Sequence, residues 1–396
     1  MKYQLREYQR QASNAAVAFF LETRVKDNAL IVAATGCGKS LIIADIAYRL
    51  DSDVLVFCPT REITLQNYAK MKSYDVECSM YSASVGVKEI SRITFATIGS
   101  VKNCHELFSH FKYVIVDEAH YVNSQGGMYK DFFDSLECKV LGLTATPYRL
   151  ETEVCMNWKT KTITSSSSYL MMLTDYRDAI FKDIIYNIDA GDLSRMGFLS
   201  KMKYYNIPPR GWDESRLFKN SSGSDYSDSS VKYMQKKVRF EEYLVSVVRR
   251  LLNPKKGEKR NGILVFTRFV EDAENLANSV EGGAFISGSM SKKNRIRILK
   301  EFEEGKIKVL ANAGVLIVGY DRPDLDTIVL ASPTLSLARY YQEIGRAIRL
   351  HPSKKEGWIV DVVGNFNKFG RVEELKLSKT EKDTWCITSN GRQLTD

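Results

Sequence analysis

No apolar run in this 396-residue sequence approaches the roughly 18 residues that a membrane-spanning helix needs. The opening stretch, MKYQLREYQR, has no apolar signal region. The expectation is a soluble, cytoplasmic chain with no membrane partner. Cysteines are few and irregular: Cys37, Cys58, Cys78, Cys104, Cys138, Cys155 and Cys386 are odd in number, and no two are spaced CxxC. Several interrupt apolar runs, where Cys behaves as a small hydrophobe. Neither a disulfide framework nor a zinc site is expected. The four histidines form no HExxH pair. What remains is an ordinary globular composition, 44% apolar and 27% charged. The length exceeds one comfortable hydrophobic core, which makes two domains the prior. Net charge is +9. That excess fits a polyanionic partner, whose phosphates release counterions when neutralised, and fits a solubility surplus equally well.

Short apolar runs alternate with helical patterns from residue 28 to about 146. The runs are ALIVAA (29–34), VLVFCP (54–59), RITFAT (92–97), YVIVDE (113–118) and VLGLTA (140–145). Apolar throughout, they suit strands buried on both faces of a parallel sheet. The rhythm returns in GILVFT (262–267), GAFISG (283–288), KVLANA (308–313), TIVLAS (327–332) and GWIVDVV (357–363). The reading is α/β, two tandem doubly wound parallel-sheet domains. The expected boundaries are 1–188 and 189–365, with a flexible insertion at about 206–236 and an unassigned tail at 366–396. The serine-rich stretch SSGSDYSDSS suggests the flexibility.

The first strand-to-helix turn reads AATGCGKS, Ala33 to Ser40. Thr35, Gly36, Cys37 and Gly38 form a loop whose backbone N–H groups turn inward around phosphate oxygens, helped by a helix N-terminus. Lys39 supplies positive charge to the β- and γ-phosphates, and Ser40 a hydroxyl to Mg²⁺. Ala33 stands where GxxxxGK[ST] has its first glycine, and a chance Gly-Lys-Ser turn is the alternative. Then VIVDEAH, ending at His120, delivers Asp117 and Glu118 from the end of a strand. Asp117 suits Mg²⁺ held through water, and Glu118 suits a general base for the attacking water. With a phosphate loop upstream, the pair points to a nucleoside triphosphatase using ATP and Mg²⁺. Cys37, near a helix N-terminus and Lys39, is a candidate for a reactive thiolate, set against simple filling of a small-residue position.

In their order these motifs resemble the superfamily 2 helicases and translocases, built from two RecA-like domains. The resemblance runs from Leu5 to about Asn365. LREYQ (5–9) resembles the adenine-reading segment, which implies nucleotide contacts by Arg6 and Gln9. PTREITLQ (59–66) is similar to motif Ia and TIGS (97–100) to motif Ib. These imply nucleic-acid contacts at Pro59, Thr60, Arg61, Thr97, Gly99 and Ser100. DEAH is motif II, and TAT is motif III, with Thr144 and Thr146 coupling hydrolysis to movement. FTRF (266–269) resembles motif IV, implying strand contacts by Thr267 and Arg268. NAGVLIVGYD (312–321) is similar to motif V: Asn312 implies a strand contact, and Gly319 and Asp321 a nucleotide-facing turn. Asn312 and Ala313 stand where many members carry threonine. QEIGRAIR (342–349) is similar to motif VI, implying catalytic Gln342, Arg346 and Arg349. On a helix, Arg346 and Arg349 lie about a turn apart and share a face. Domain one offers no obvious arginine to its own γ-phosphate, so these two are the trans-acting candidates, an effect of roughly 10³-fold or more.

DEAH with QxxGRxxR resembles the DNA-directed branch: RadD-type helicases, phage UvsW-type branch-migration helicases and XPB-like translocases. That implies a monomeric motor on single-stranded, forked or branched DNA, in a bacterial or phage-infected host. An RNA helicase and a nucleotide-gated clamp with little hydrolysis stay open, and Glu118, Arg346 and Arg349 speak against the clamp. No recognition domain is expected before residue 5, and the short tail leaves little room for a large module. A strand-separating wedge is expected in 147–190 or 205–240, where Trp158, Tyr169, Tyr176 and Trp212 suit stacking on bases or packing of the insertion.

Overall fold

All ten apolar runs become parallel strands. They are distributed between two compact units, each with its own sheet. The computed structural model describes residues 4–157, 162–255, 259–260, 262–315 and 322–395.

The first unit takes the chain up to Arg149, then Met171–Leu193, then everything from Lys376. Its eight-stranded sheet runs, in spatial order, Phe181–Ile188, Asn28–Ala33, Lys139–Thr144, Tyr113–Asp117, Val54–Phe57, Ile93–Ala96, Ser79–Ser82 and Val87–Lys88. Pairing is parallel except between the last two strands. Central strands such as Val54–Phe57 are buried along their whole length, as helices on both faces require. Gly142 permits close packing here, because a Cβ would sit 2.6 Å from both Ala119 and Leu30 side chains. The helix Glu7–Leu21 buries Tyr8, Ala12, Ala16 and Phe20 at helical spacing. Ser13 Oγ donates to Asp45 Oδ2 at 2.5 Å, tying that helix to Lys39–Arg49, the helix after the phosphate loop.

The second unit comprises Leu150–Leu170 and Ser194–Leu375. Its six strands run Met202–Asn206, Gly357–Asp361, Thr327–Ala331, Ile263–Thr267, Val309–Ala313 and Gly283–Ser287, all parallel. The helix Phe240–Leu252 lays Phe240, Leu244, Val248 and Leu252 onto this sheet.

Three expectations are corrected. The stretch 206–236 is built into the unit: Leu217, Tyr226, Val231, Met234 and Phe269 form a small core beneath the helix Asp228–Lys237. Aromatic and aliphatic residues spaced among the serines supply the burial that serine cannot. The hairpin strands Tyr148–Asn157 and Thr162–Met172 reach from the first unit into the second, so the boundary is not a single point near 188. The tail forms a three-stranded sheet, Leu375–Lys379, Trp385–Ser389 and Arg392–Gln393. It returns to the first unit through Lys376 Nζ on Asp189 at 2.7 Å and Trp385 Nε1 on Asp183 at 3.1 Å. Among the described residues no helix is long and apolar enough to cross a membrane.

Candidate nucleotide site and nucleic-acid surfaces

Three neighbouring strands of the first sheet end in the three groups that bear chemistry. Asn28–Ala33 leads into the phosphate loop, Lys139–Thr144 ends in Thr144, and Tyr113–Asp117 ends in Asp117. Their carboxyl ends lie side by side, where ligands of open α/β sheets bind. Gly36 and Gly38 adopt φ of 86° and 84°, a region costly for residues with a Cβ. At Gly38 a Cβ would also meet Gln9 Nε2 at 2.6 Å. Thr35 lies in the turn and Ser40 in the first turn of the following helix, which carries no acidic residue there to oppose an anion.

Lys39 Nζ lies 3.3 Å from Glu118 Oε1, with both side chains largely buried. Burial opposes the ammonium charge, but Glu118, with smaller help from Cys37 and Asp117, outweighs it and holds Lys39 above its ordinary range. Glu118 has φ 54°, a left-handed backbone that turns its carboxylate back toward Lys39. His120 Nδ1 lies 3.4 Å from Glu118 Oε2 and 3.1 Å from Thr144 Oγ1. Burial pulls this histidine down to about 4, so at neutral pH the ring is uncharged. Thr144 Oγ1 accepts from Thr146 N at 3.0 Å, which makes acid, histidine and TAT segment continuous. Thr146 Oγ1 is buried with no hydrogen-bond partner among the described residues.

Asp117 is fixed on both oxygens: Asn67 Nδ2 donates to Oδ2 at 2.8 Å and Glu118 N to Oδ1 at 3.0 Å. Neither Asn67 nor His120 was assigned a role from sequence. The signal for Asn67 is that it shares the buried stripe of helix Arg61–Lys72 with Ile63, Thr64 and Met71. A polar residue there must find an internal partner.

Gln9 is turned inward. Its Nε2 donates to Cys37 O at 2.7 Å, its Oε1 accepts from Arg6 N at 2.9 Å, and Tyr8 OH also donates to Cys37 O. These bonds hold the Gln9 side chain against the phosphate loop. Arg6 N-caps the helix, and its guanidinium donates to Tyr8 OH. Cys37 is buried, which pushes its thiol up to about 11 and overturns the thiolate expectation.

Pro59, Thr60 and Arg61 follow the strand Val54–Phe57, and Thr97, Gly99 and Ser100 follow Ile93–Ala96. Thr60 Oγ1 caps the helix Arg61–Lys72 by accepting from Ile63 N, Arg61 Nε donates to Ser84 O, and Thr97 and Ser100 share a hydroxyl hydrogen bond. These loops lie three and four strands from the phosphate loop along the carboxyl edge, about 14 and 19 Å away.

In the second unit the expected strand-contacting side chains are spent on the fold. Arg268 donates to Asp228 at 2.8 Å, to Asp225 at 3.2 Å and to the carbonyls of Tyr226 and Pro333. Thr267 is buried and donates to Phe269 O, and buried Asn312 caps its turn by accepting from Val315 N. Of the stacking candidates, Trp212 packs on Phe240 and donates to Val363 O, while Tyr176 is buried and Tyr169 half-buried. Trp158, Gly319 and Asp321 lie outside the described residues.

The helix carrying Gln342 ends at Ile344, so Arg346 sits on the turn that follows and Arg349 on a bend beyond it, and they do not share a helix face. Gly345 closes that helix, and Arg346 N and Ala347 N continue as i→i+3 bonds to Glu343 O and Ile344 O. Gln342 and Arg346 are buried, and Arg349 O accepts from Ser200 Oγ at 2.8 Å. The wholly buried Glu343 is neutralised by Arg339 at 2.8 Å, a pair not anticipated from sequence.

Residues 2–149 match the family described as Type III restriction enzyme, res subunit, and residues 243–351 match the Helicase conserved C-terminal domain. A candidate helicase of Sulfolobus islandicus filamentous virus is 24% identical over 96% of this chain and 68% of its own length. An ATP-dependent RNA helicase of Sclerotinia sclerotiorum is 23% identical over 89% of this chain, which spans 59% of that relative. Among solved structures, a DNA-bound ATP-dependent Type ISP restriction-modification enzyme superposes with a TM-score of 0.67 at 18% identity. That match covers 92% of this chain and 28% of the enzyme and is a likeness of fold. Two consecutive family matches on two RecA-like sheets, with the phosphate loop and the acid pair at the ends of the strands that flank Lys139–Thr144, identify the chain as an ATP-dependent helicase of superfamily 2.

Proposed function

We propose that the chain couples ATP hydrolysis to movement along DNA, unwinding or remodelling forks and branched repair or recombination intermediates. The observation that carries this is the buried Lys39–Glu118 pair at the mouth of the phosphate loop. A bound γ-phosphate competes for Lys39 and releases the Glu118 carboxylate to polarise the attacking water. Asp117 and Ser40 suit Mg²⁺, which commonly takes one or two protein oxygens and completes its shell with phosphate and water. When bound, the ion neutralises charge on the β- and γ-phosphates. Arg346 and Arg349 add positive charge at the transferring phosphoryl group, and Thr144, joined to Glu118 through His120, relays the state of the site.

Support for DNA comes from the DNA-bound restriction enzyme of the same fold and from the +9 charge. The RNA helicase relative supports a second reading, RNA remodelling. One comparison separates them: ATPase stimulation and unwinding on single-stranded DNA, a fork, a four-way junction and an RNA duplex at fixed salt. DNA forks or junctions are expected to stimulate most, and preference for RNA duplex overturns the DNA reading. Glu118→Gln is expected to keep ATP binding and lose at least 100-fold in turnover. Unchanged turnover removes Glu118 as the base.

A further inference from the structure

The stretch between the two family matches bears the most open apolar surface of the described residues. Phe218 and Tyr233 are 75% and 70% exposed, more than any other large hydrophobic side chain described. They belong to one place. Phe218 O accepts from Ser227 N at 2.8 Å, and Phe218 N donates to Ser230 Oγ at 3.2 Å, which pins residue 218 to the first turn of helix Asp228–Lys237. Tyr233 is on the same helix, one turn beyond. That helix turns Val231, Met234 and Gln235 inward and leaves Lys232, Tyr233, Lys236 and Lys237 in water.

The position of this patch is set by Arg268. Three of its four hydrogen bonds fasten residues 225–228 to the carboxyl end of strand Ile263–Thr267, and the fourth goes to Pro333 O. Asp225 Oδ1 also accepts from Leu335 N, in the loop after the neighbouring strand Thr327–Ala331. The insertion thus occupies the edge where motif IV opens, and the arginine expected to grip a strand there holds the insertion instead. Two unburied rings cost hydration free energy and contribute no packing. Flanked by lysines, they have the chemistry of a stacking platform, rings for base faces and ammonium groups for phosphates.

We propose that Phe218, Tyr233 and the lysines 232, 236 and 237 form a binding platform for single-stranded nucleic acid, replacing Arg268 as the contact at this edge. Unpaired strands are the fitting partner, because a duplex keeps its base faces stacked inside. The proposal rests on the helicase acting on nucleic acid and deepens that reading.

The test uses the full chain and a fluorescent oligothymidylate, with binding followed by anisotropy at several salt concentrations. Phe218→Ala with Tyr233→Ala is expected to weaken single-strand binding about ten-fold or more, with blunt-duplex binding changed less than two-fold. Tyr233→Trp, which keeps a ring, is expected to retain wild-type affinity. Lys236→Gln with Lys237→Gln is expected to flatten the salt dependence. Circular dichroism and nucleic-acid-free ATPase rates stay unchanged in all of them. Oligothymidylate affinity within two-fold of wild type in the double alanine variant overturns the platform while leaving the helicase reading intact. So does a loss of self-association in that variant with strand binding preserved. Failure of the wild-type chain to bind any single or branched strand removes both.

Discussion

Asp117 and Glu118 are adjacent carboxylates in a largely buried site, and burial, then repulsion from Glu118, pushes Asp117 up to about 6. Lys39 and the Asn67 amide pull the other way, so this asparagine stabilises the ionised form as well as aiming it. Cys37 meets the opposite balance. The nearby ammonium of Lys39 lowers its pKa, yet burial prevails, and at about 11 the thiol is roughly one-thousandth ionised at pH 8. Iodoacetamide at pH 8 is therefore expected to spare Cys37 in the native chain and label it after unfolding, as peptide mass spectrometry reports. Rapid native labelling at this residue means the loop opens. Lys39, Asp117 and Glu118 were legible from sequence because a phosphate loop and a strand-end acid pair are local patterns with a chemical reason. Asn67 was not, since its partner lies 50 residues away and one polar residue on a helix reads as surface.

Strands buried on both faces announced themselves, and the edges of the sheets did not. Phe181–Ile188 lies at one margin of the first sheet, where Lys182 and Asp183 stay exposed, so FKDIIYNI shows no continuous apolar run. The serine-rich insertion misled for the converse reason: a few large side chains hold it, among them Trp212 and Tyr226. The strongest fastening is Arg268, whose guanidinium is mostly buried between Asp225 and Asp228. Arg268→Ala leaves the partly buried Asp225 without its cation, at a cost of about 2 kcal/mol to the local fold. Hydrogen exchange in Asp228–Lys237 is expected to quicken by about ten-fold or more, with exchange in strand Tyr113–Asp117 unaltered. Equal exchange in the helix would show that the apolar contacts alone suffice.

The chain passes between its two units at residues 149–150, 170–171, 193–194 and 375–376. Lys376, the first residue of the last return, binds both Asp189 and Asp192 just before the chain leaves for the second unit, at 2.7 and 3.6 Å. The tail that sequence left unassigned is thus part of the ATP-binding unit, and Cys386, Ile387 and Thr395 are buried there. Removing residues 376–396 is expected to lower the melting temperature by at least about 4 °C in calorimetry, since each kcal/mol lost moves a domain of this size by roughly 2–4 °C. An unchanged melting curve would make the tail an appendage. The four passages bear also on how this molecule withstands cutting. A protease that nicks it once between the units frees neither, because three covalent threads persist; after a cut at residues 149–150, strand Asn28–Ala33 also stays hydrogen-bonded to Phe181–Ile188 on the other fragment. Nicked protein would run as one particle in native chromatography and as two fragments only in detergent.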